Sequence, residues 1–124
     1  MHTIEEYNEA LEAYVKMVTD LHEAHYKNHF ASLPVPEIKV SHGSKLTKLT
    51  EVRYDDSGKI VSKSVRAFVA KSDYDTKGLG EVKEGDILMP ASWSAPAKHA
   101  RGSIFDDDHG RSYADGVGRP MYMR

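Results

Sequence analysis

Apolar residues recur at the helical period from the first turn of the chain. Ile4, Tyr7, Leu11, Val15 and Val18 fall on one stripe. Thr3-Ile4-Glu5-Glu6 has capping-box spacing, in which the Thr hydroxyl accepts from the amide three residues on and Glu6 reaches back to the Thr3 amide. Glu5, Glu6, Glu9 and Glu12 place negative charge at the positive end of the helix dipole, and Glu12/Lys16 and Glu23/Lys27 are i,i+4 pairs in the favoured order. Leu33-Pro34-Val35-Pro36 stops the pattern, because proline lacks a donor and biases its predecessor away from helical angles. The reading is one amphipathic helix over 3–32.

From Glu37 the pattern turns to strands. Runs at 37–41, 45–54 and 59–71 are rich in Val, Ile, Thr, Phe and Tyr, and Asp55-Asp56-Ser57-Gly58 marks a hairpin turn. Val65, Ala67 and Val69 alternate with Arg66 and Phe68, which predicts one covered face and one mixed face. Residues 72–84 read as a polar loop around Gly78-Leu79-Gly80, and 87–89 as a short strand that Pro90 ends or places at a sheet edge. In the next segment Ser94 suits an N-cap, Pro96 a first turn and Gly102 a stop, which predicts a short helix over 95–101. The expected fold class is α+β in a single domain, 1–124. A long N-terminal amphipathic helix packs on a small antiparallel β-sheet (37–89), followed by a motif segment (90–106) and a loop and tail (107–124).

The chain has 124 residues and no cysteine, which excludes disulfides, Cys-based metal sites and thiol catalysis. Its apolar runs are far shorter than the ~18 residues of a membrane span, and its first residues are not a basic-then-apolar leader. A soluble intracellular protein is expected. The net charge of −2 conceals a segregation: residues 1–40 carry three basic and seven acidic groups, residues 41–101 eleven and eight. A polycationic footprint for duplex DNA is missing, but a local basic site in the middle third is open.

The candidate site lies in the motif segment. On a helix over 95–101, Lys98 and Arg101 share a face and the free amides at its start suit an anion. His99 adds a donor, Arg101 suits bidentate contact to phosphate, and Trp93 could stack a base. Arg66 and His25 complete the candidate ligand-binding set. The competing reading is structural, with Trp93 as a core plug and Lys98 and Arg101 as a solvated face. His22, His25 and His29 share one helical face. Partly buried, hydrogen-bonded histidines are favoured there over a pocket or subunit interface, and over a metal site. Asp106-Asp107-Asp108 reads as a solvated turn, lacking the alternating ligands of a calcium loop. No nucleophile elbow or phosphate loop is present, and no enzyme activity, cofactor or metal is expected.

Four segments carry a resemblance: Gly85-Asp-Ile-Leu88, Pro90-Ala-Ser-Trp93, Pro96-Ala-Lys-His-Ala-Arg-Gly102 and Ile104-Phe-Asp106. With the Ser-Val-Arg-Ala-Phe-Val strand at 64–69 and the aromatic C-terminus, they resemble a family of small, functionally unassigned proteins encoded by tailed bacteriophages. The resemblance covers the last half of the chain. It implies a non-structural phage product in the cytoplasm of the bacterial host, and no activity.

The first functional expectation is a non-enzymatic protein that binds a small phosphorylated ligand, in its leading form a sponge for a nucleotide-derived signal of host anti-phage immunity. A chain this small is expected to enclose such a ligand as a homo-oligomer, with neither membrane nor duplex DNA as partner. The alternative is a protein–protein inhibitor of a host enzyme, using the acidic helix and the Asp106–Asp108 loop. Weaker is single-stranded nucleic-acid binding, with Tyr54, Phe68 or Trp93 stacking bases.

Overall fold

The computed structural model describes residues 2–29, 34–75, 81–93, 95–111 and 114. Helix α1 spans Ile4–His29. The capping box forms as the spacing requires: Thr3 N donates to Glu6 Oε1 at 2.8 Å and Glu6 N to Thr3 Oγ1 at 3.0 Å. Thr3→Ala is expected to cost about 1 kcal/mol, read as a shift in the urea midpoint at constant slope. The buried stripe is Tyr7, Ala10, Leu11, Tyr14, Val18, His22 and Tyr26. Ile4, expected on the stripe, is 80% exposed, because it precedes the point where the helix meets the sheet. Tyr14 takes the central position, and Lys16 pairs with Asp20 at 2.7 Å rather than with Glu12. Residues 30–32 of the expected helix lie outside the described part.

Among the described residues seven strands follow: β1 (Glu37–His42), β2 (Leu46–Tyr54), β3 (Ile60–Ala70), β4 (Tyr74–Asp75), β5 (Glu81–Val82), β6 (Asp86–Pro90) and β7 (Pro96–Ser103). They make a five-stranded antiparallel sheet in the order β1-β2-β3-β6-β7, and β4 and β5 pair as a separate two-stranded ribbon inside the expected loop. The β2–β3 turn closes on Asp55, whose Oδ1 accepts from Ser57 N, Ser57 Oγ and Lys59 N, with Gly58 at φ 85°.

The helix expected over 95–101 is instead strand β7. A helix of some seven residues is too short to hold by propensity alone, since isolated helices below ~12–15 residues are marginal, whereas β6 offers a full ladder of donors and acceptors. Pro90 sits opposite Pro96 at the end of that ladder, where missing donors cost least, and Gly102 (φ 92°) absorbs a register shift instead of capping a helix.

Each face of the sheet carries an apolar cluster. On one, Leu49, Ala67, Val69, Ile87 and Ile104 pack against Tyr7, Ala10, Leu11, Tyr14 and Val18 of α1. On the other, Phe68, Ala70, Leu88 and Val82 form a second cluster, joined by Val65. The mixed face expected for β3 is therefore apolar over Val65 and Phe68. Arg66 escapes the alternation because Leu49 pairs with Ala67 and Thr50 with Val65, leaving Arg66 as the extra residue of a β-bulge. A bulge re-aims a side chain, and this one is buried.

Candidate functional site

The bulge puts Arg66 against the helix. Its Nη1 donates to Glu51 Oε1 of β2 and to His22 Nδ1 of α1, both at 2.7 Å. A guanidinium only donates, so His22 Nδ1 is the acceptor and its ring proton sits on Nε2, 3.8 Å from Glu51 Oε1. Arg53 Nε donates to Glu51 Oε2 at 2.8 Å, and the His22 ring stacks on Tyr26 with centroids 5.1 Å apart. Burial pushes the Glu51 carboxyl up, but the hydrogen bond from Arg53 and the charge of Arg66 outweigh it, and the group sits below its ordinary value. A depressed carboxyl contributes stability that is complete above its unfolded pKa of about 4.3 and fades as pH falls through the lower folded value. Acid unfolding followed by circular dichroism is expected to show this loss below about pH 4, and Glu51→Gln to flatten it.

Arg66, expected in the ligand-binding set, is buried, with Glu51 against its guanidinium. His25 is half-buried, edge-on to Tyr26 and 4.7 Å from the His29 ring. Trp93 lies in the β6–β7 turn, 53% exposed, with Lys48 Nζ 4.4 Å over its ring. Lys48 also approaches the Phe68 ring, so Trp93 belongs to the face opposite α1 and does not meet Arg66 or His25. The side chains of Lys98, His99 and Arg101 lie outside the described part, and the helix start that was to present an anion site there is absent. Phe68 is buried and offers no face for stacking a base. The Asp106–Asp108 acids serve the local turn: Asp106 Oδ2 accepts from Ser103 N, and Asp108 Oδ1 from Gly110 N.

A cleft unforeseen in the sequence opens at the start of α1. It encloses 360 Å³ among residues that include His2, Tyr7, His42, Lys71 and Glu84. Glu84 accepts from His2 N at 2.8 Å and from its Nδ1 at 3.2 Å, and the His2 ring lies flat on Phe105 at 3.6 Å. Tyr7 Oη and Thr47 Oγ1 are 2.8 Å apart, and His42 Nδ1 is 3.3 Å from the same Thr47 oxygen. These hydroxyls link the cleft wall to the core. Lys71 Nζ donates to the Gly43 carbonyl at 3.0 Å, and among the described residues no carboxylate lies within ion-pair distance of it. A second cavity of 440 Å³ adjoins, shares His2, Lys71 and Glu84, and adds Asp73 and Lys83. The cleft residues come from four separate stretches of chain, so no local spacing announces them.

Fold and cleft define an α+β protein in which one long helix caps an antiparallel sheet and leaves a cleft at the helix start. The chain belongs to a family of unknown function, DUF7717, whose model matches residues 1–123. No curated protein and no solved structure matches it. Among the described residues no helix is long and apolar enough to cross a membrane.

Proposed function

We propose that this protein is a non-enzymatic binding module for a small anionic, phosphate-bearing ligand, held in the cleft at the start of α1. The observation that carries this reading is Lys71, whose ammonium stands on the wall of two adjoining cavities, bonded to a backbone carbonyl and to no described carboxylate. A lysine in that setting meets a phosphate as a point charge. His42 and His2 add ring nitrogens beside it, and the volumes fall in the range of about 300–1,000 Å³ usual for small-molecule sites. The finer form, a phage sponge for a nucleotide-derived signal in the host cytoplasm, acting as a homo-oligomer, rests on the phage-like segment and on chain size.

Calorimetric titration with inorganic phosphate, ADP-ribose and cyclic oligonucleotides tests it, with light scattering for the oligomer. At least one ligand is expected to bind, and Lys71→Ala to weaken it about tenfold or more, as for a lost charged hydrogen bond. The Lys98→Ala/Arg101→Ala double variant distinguishes the cleft from the motif segment, and is expected to retain binding. No heat with any ligand, or full binding by Lys71→Ala, overturns the reading.

A further inference from the structure

The cleft does not end at His42. Asn8 and His42 are shared with a groove of 540 Å³ that runs along α1 as far as Thr19. Leu11, Val15 and Val40 supply apolar wall, while Glu12 and Lys16 also line the groove. Its other side is β1, the edge strand of the sheet. Ile38 packs against the core under α1, and Val40, two residues on, shares that strand face yet is 37% exposed. From Asn8 to Thr19 the helix rises about 16 Å. The two spaces adjoin at Asn8 and His42, with a cation on the side of the helix start and an apolar strip on the other.

We propose that the ligand is an amphiphile: an anionic group at Lys71 carrying an apolar body that lies in the groove between α1 and β1. The anionic end rests on the binding reading above; the apolar end rests on the groove itself. A purely polar anion would leave the Val15 and Val40 walls in water, whereas an apolar body covering them gains in proportion to the area removed from solvent. A neutral apolar chain would gain that term and forgo the charge at Lys71. The connection through Asn8 and His42 lets a single molecule collect both.

The test is calorimetric titration of the full chain with alkyl phosphates from butyl to decyl, each below its micelle concentration. Inorganic phosphate and decanol serve as limiting probes. Affinity is expected to rise at least about tenfold from butyl to decyl phosphate. Val40→Gln, on an edge strand and outside the core, is expected to flatten the length dependence. Lys71→Ala is expected to weaken the whole series by a common factor. Equal affinity along the series, or decanol binding as tightly as decyl phosphate, overturns the amphiphile. Inorganic and butyl phosphate binding through Lys71 with no length dependence would leave the anion reading standing and remove this extension. No binding by any phosphate removes both.

Discussion

Glu51→Ala is expected to be the most damaging single substitution, costing about 3–5 kcal/mol by urea denaturation, the usual loss when one partner of a buried ion pair is deleted. Arg66 is buried in the β3 bulge and cannot follow its lost partner into water, while Arg53, half-exposed, can. A domain has about 5–15 kcal/mol in total, so the variant is expected to be partly unfolded at room temperature. The loss reports a buried guanidinium deprived of its carboxylate rather than the net worth of the pair. The Glu51→Leu/Arg66→Met double variant is therefore expected to recover most of it, since apolar replacement of a buried pair is often neutral or stabilising. A loss below about 1 kcal/mol in Glu51→Ala would show that Arg66 reaches solvent and that the cluster does not pin α1 to the sheet.

Gly85→Ala is expected to cost about 2–5 kcal/mol, for two separable reasons. Gly85 has φ 87°, a conformation that burdens any residue with a side chain. A methyl there would also lie 2.4 Å from Phe105 Cδ2 and 3.2 Å from Ser103 Oγ. Phe105 cannot yield freely, because His2 stacks on its ring and Glu84 holds His2. The same glycine ties three elements together: its amide donates to Ala70 O and its carbonyl accepts from Ile104 N. Adding Phe105→Ala to Gly85→Ala should relieve the clash but leave the backbone term, so thermal stability should recover relative to the single-variant losses summed. Purely additive losses would show that the ring moves aside without cost. Because His2 and Glu84 also line the cleft, Gly85→Ala is expected to weaken phosphate binding as well, whereas Glu51→Ala at a permissive temperature should not.

Much of the fold was legible locally. The α1 stripe, its capping box, the Asp55 turn and the strand composition of β2 and β3 depend on residues close in the chain, where period and side-chain chemistry suffice. Residues 95–101 misled because their local signals suit a helix, while the deciding term was the open edge of β6, whose ladder belongs to another part of the chain. The candidate site was less legible. Arg66 read as a free cation because a bulge cannot be seen in an alternating pattern. Trp93 read as the centre of a cationic cluster, yet the cation found on its ring is Lys48, distant in sequence.

The sequence by itself determined the long helix followed by the first three strands, the helix start, the hairpin turn and the α+β class, because each follows from short-range periodicity, capping and turn chemistry. Only the tertiary structure decided which charges are buried and which face a cavity. Glu51, Arg66 and His22 look no different along the chain from Lys71, His42 and Glu84, and the first three are sealed under α1 while the others line its starting cleft. The physical reason is that desolvation depends on what packs over a group, and the covering atoms come from residues dozens of positions away.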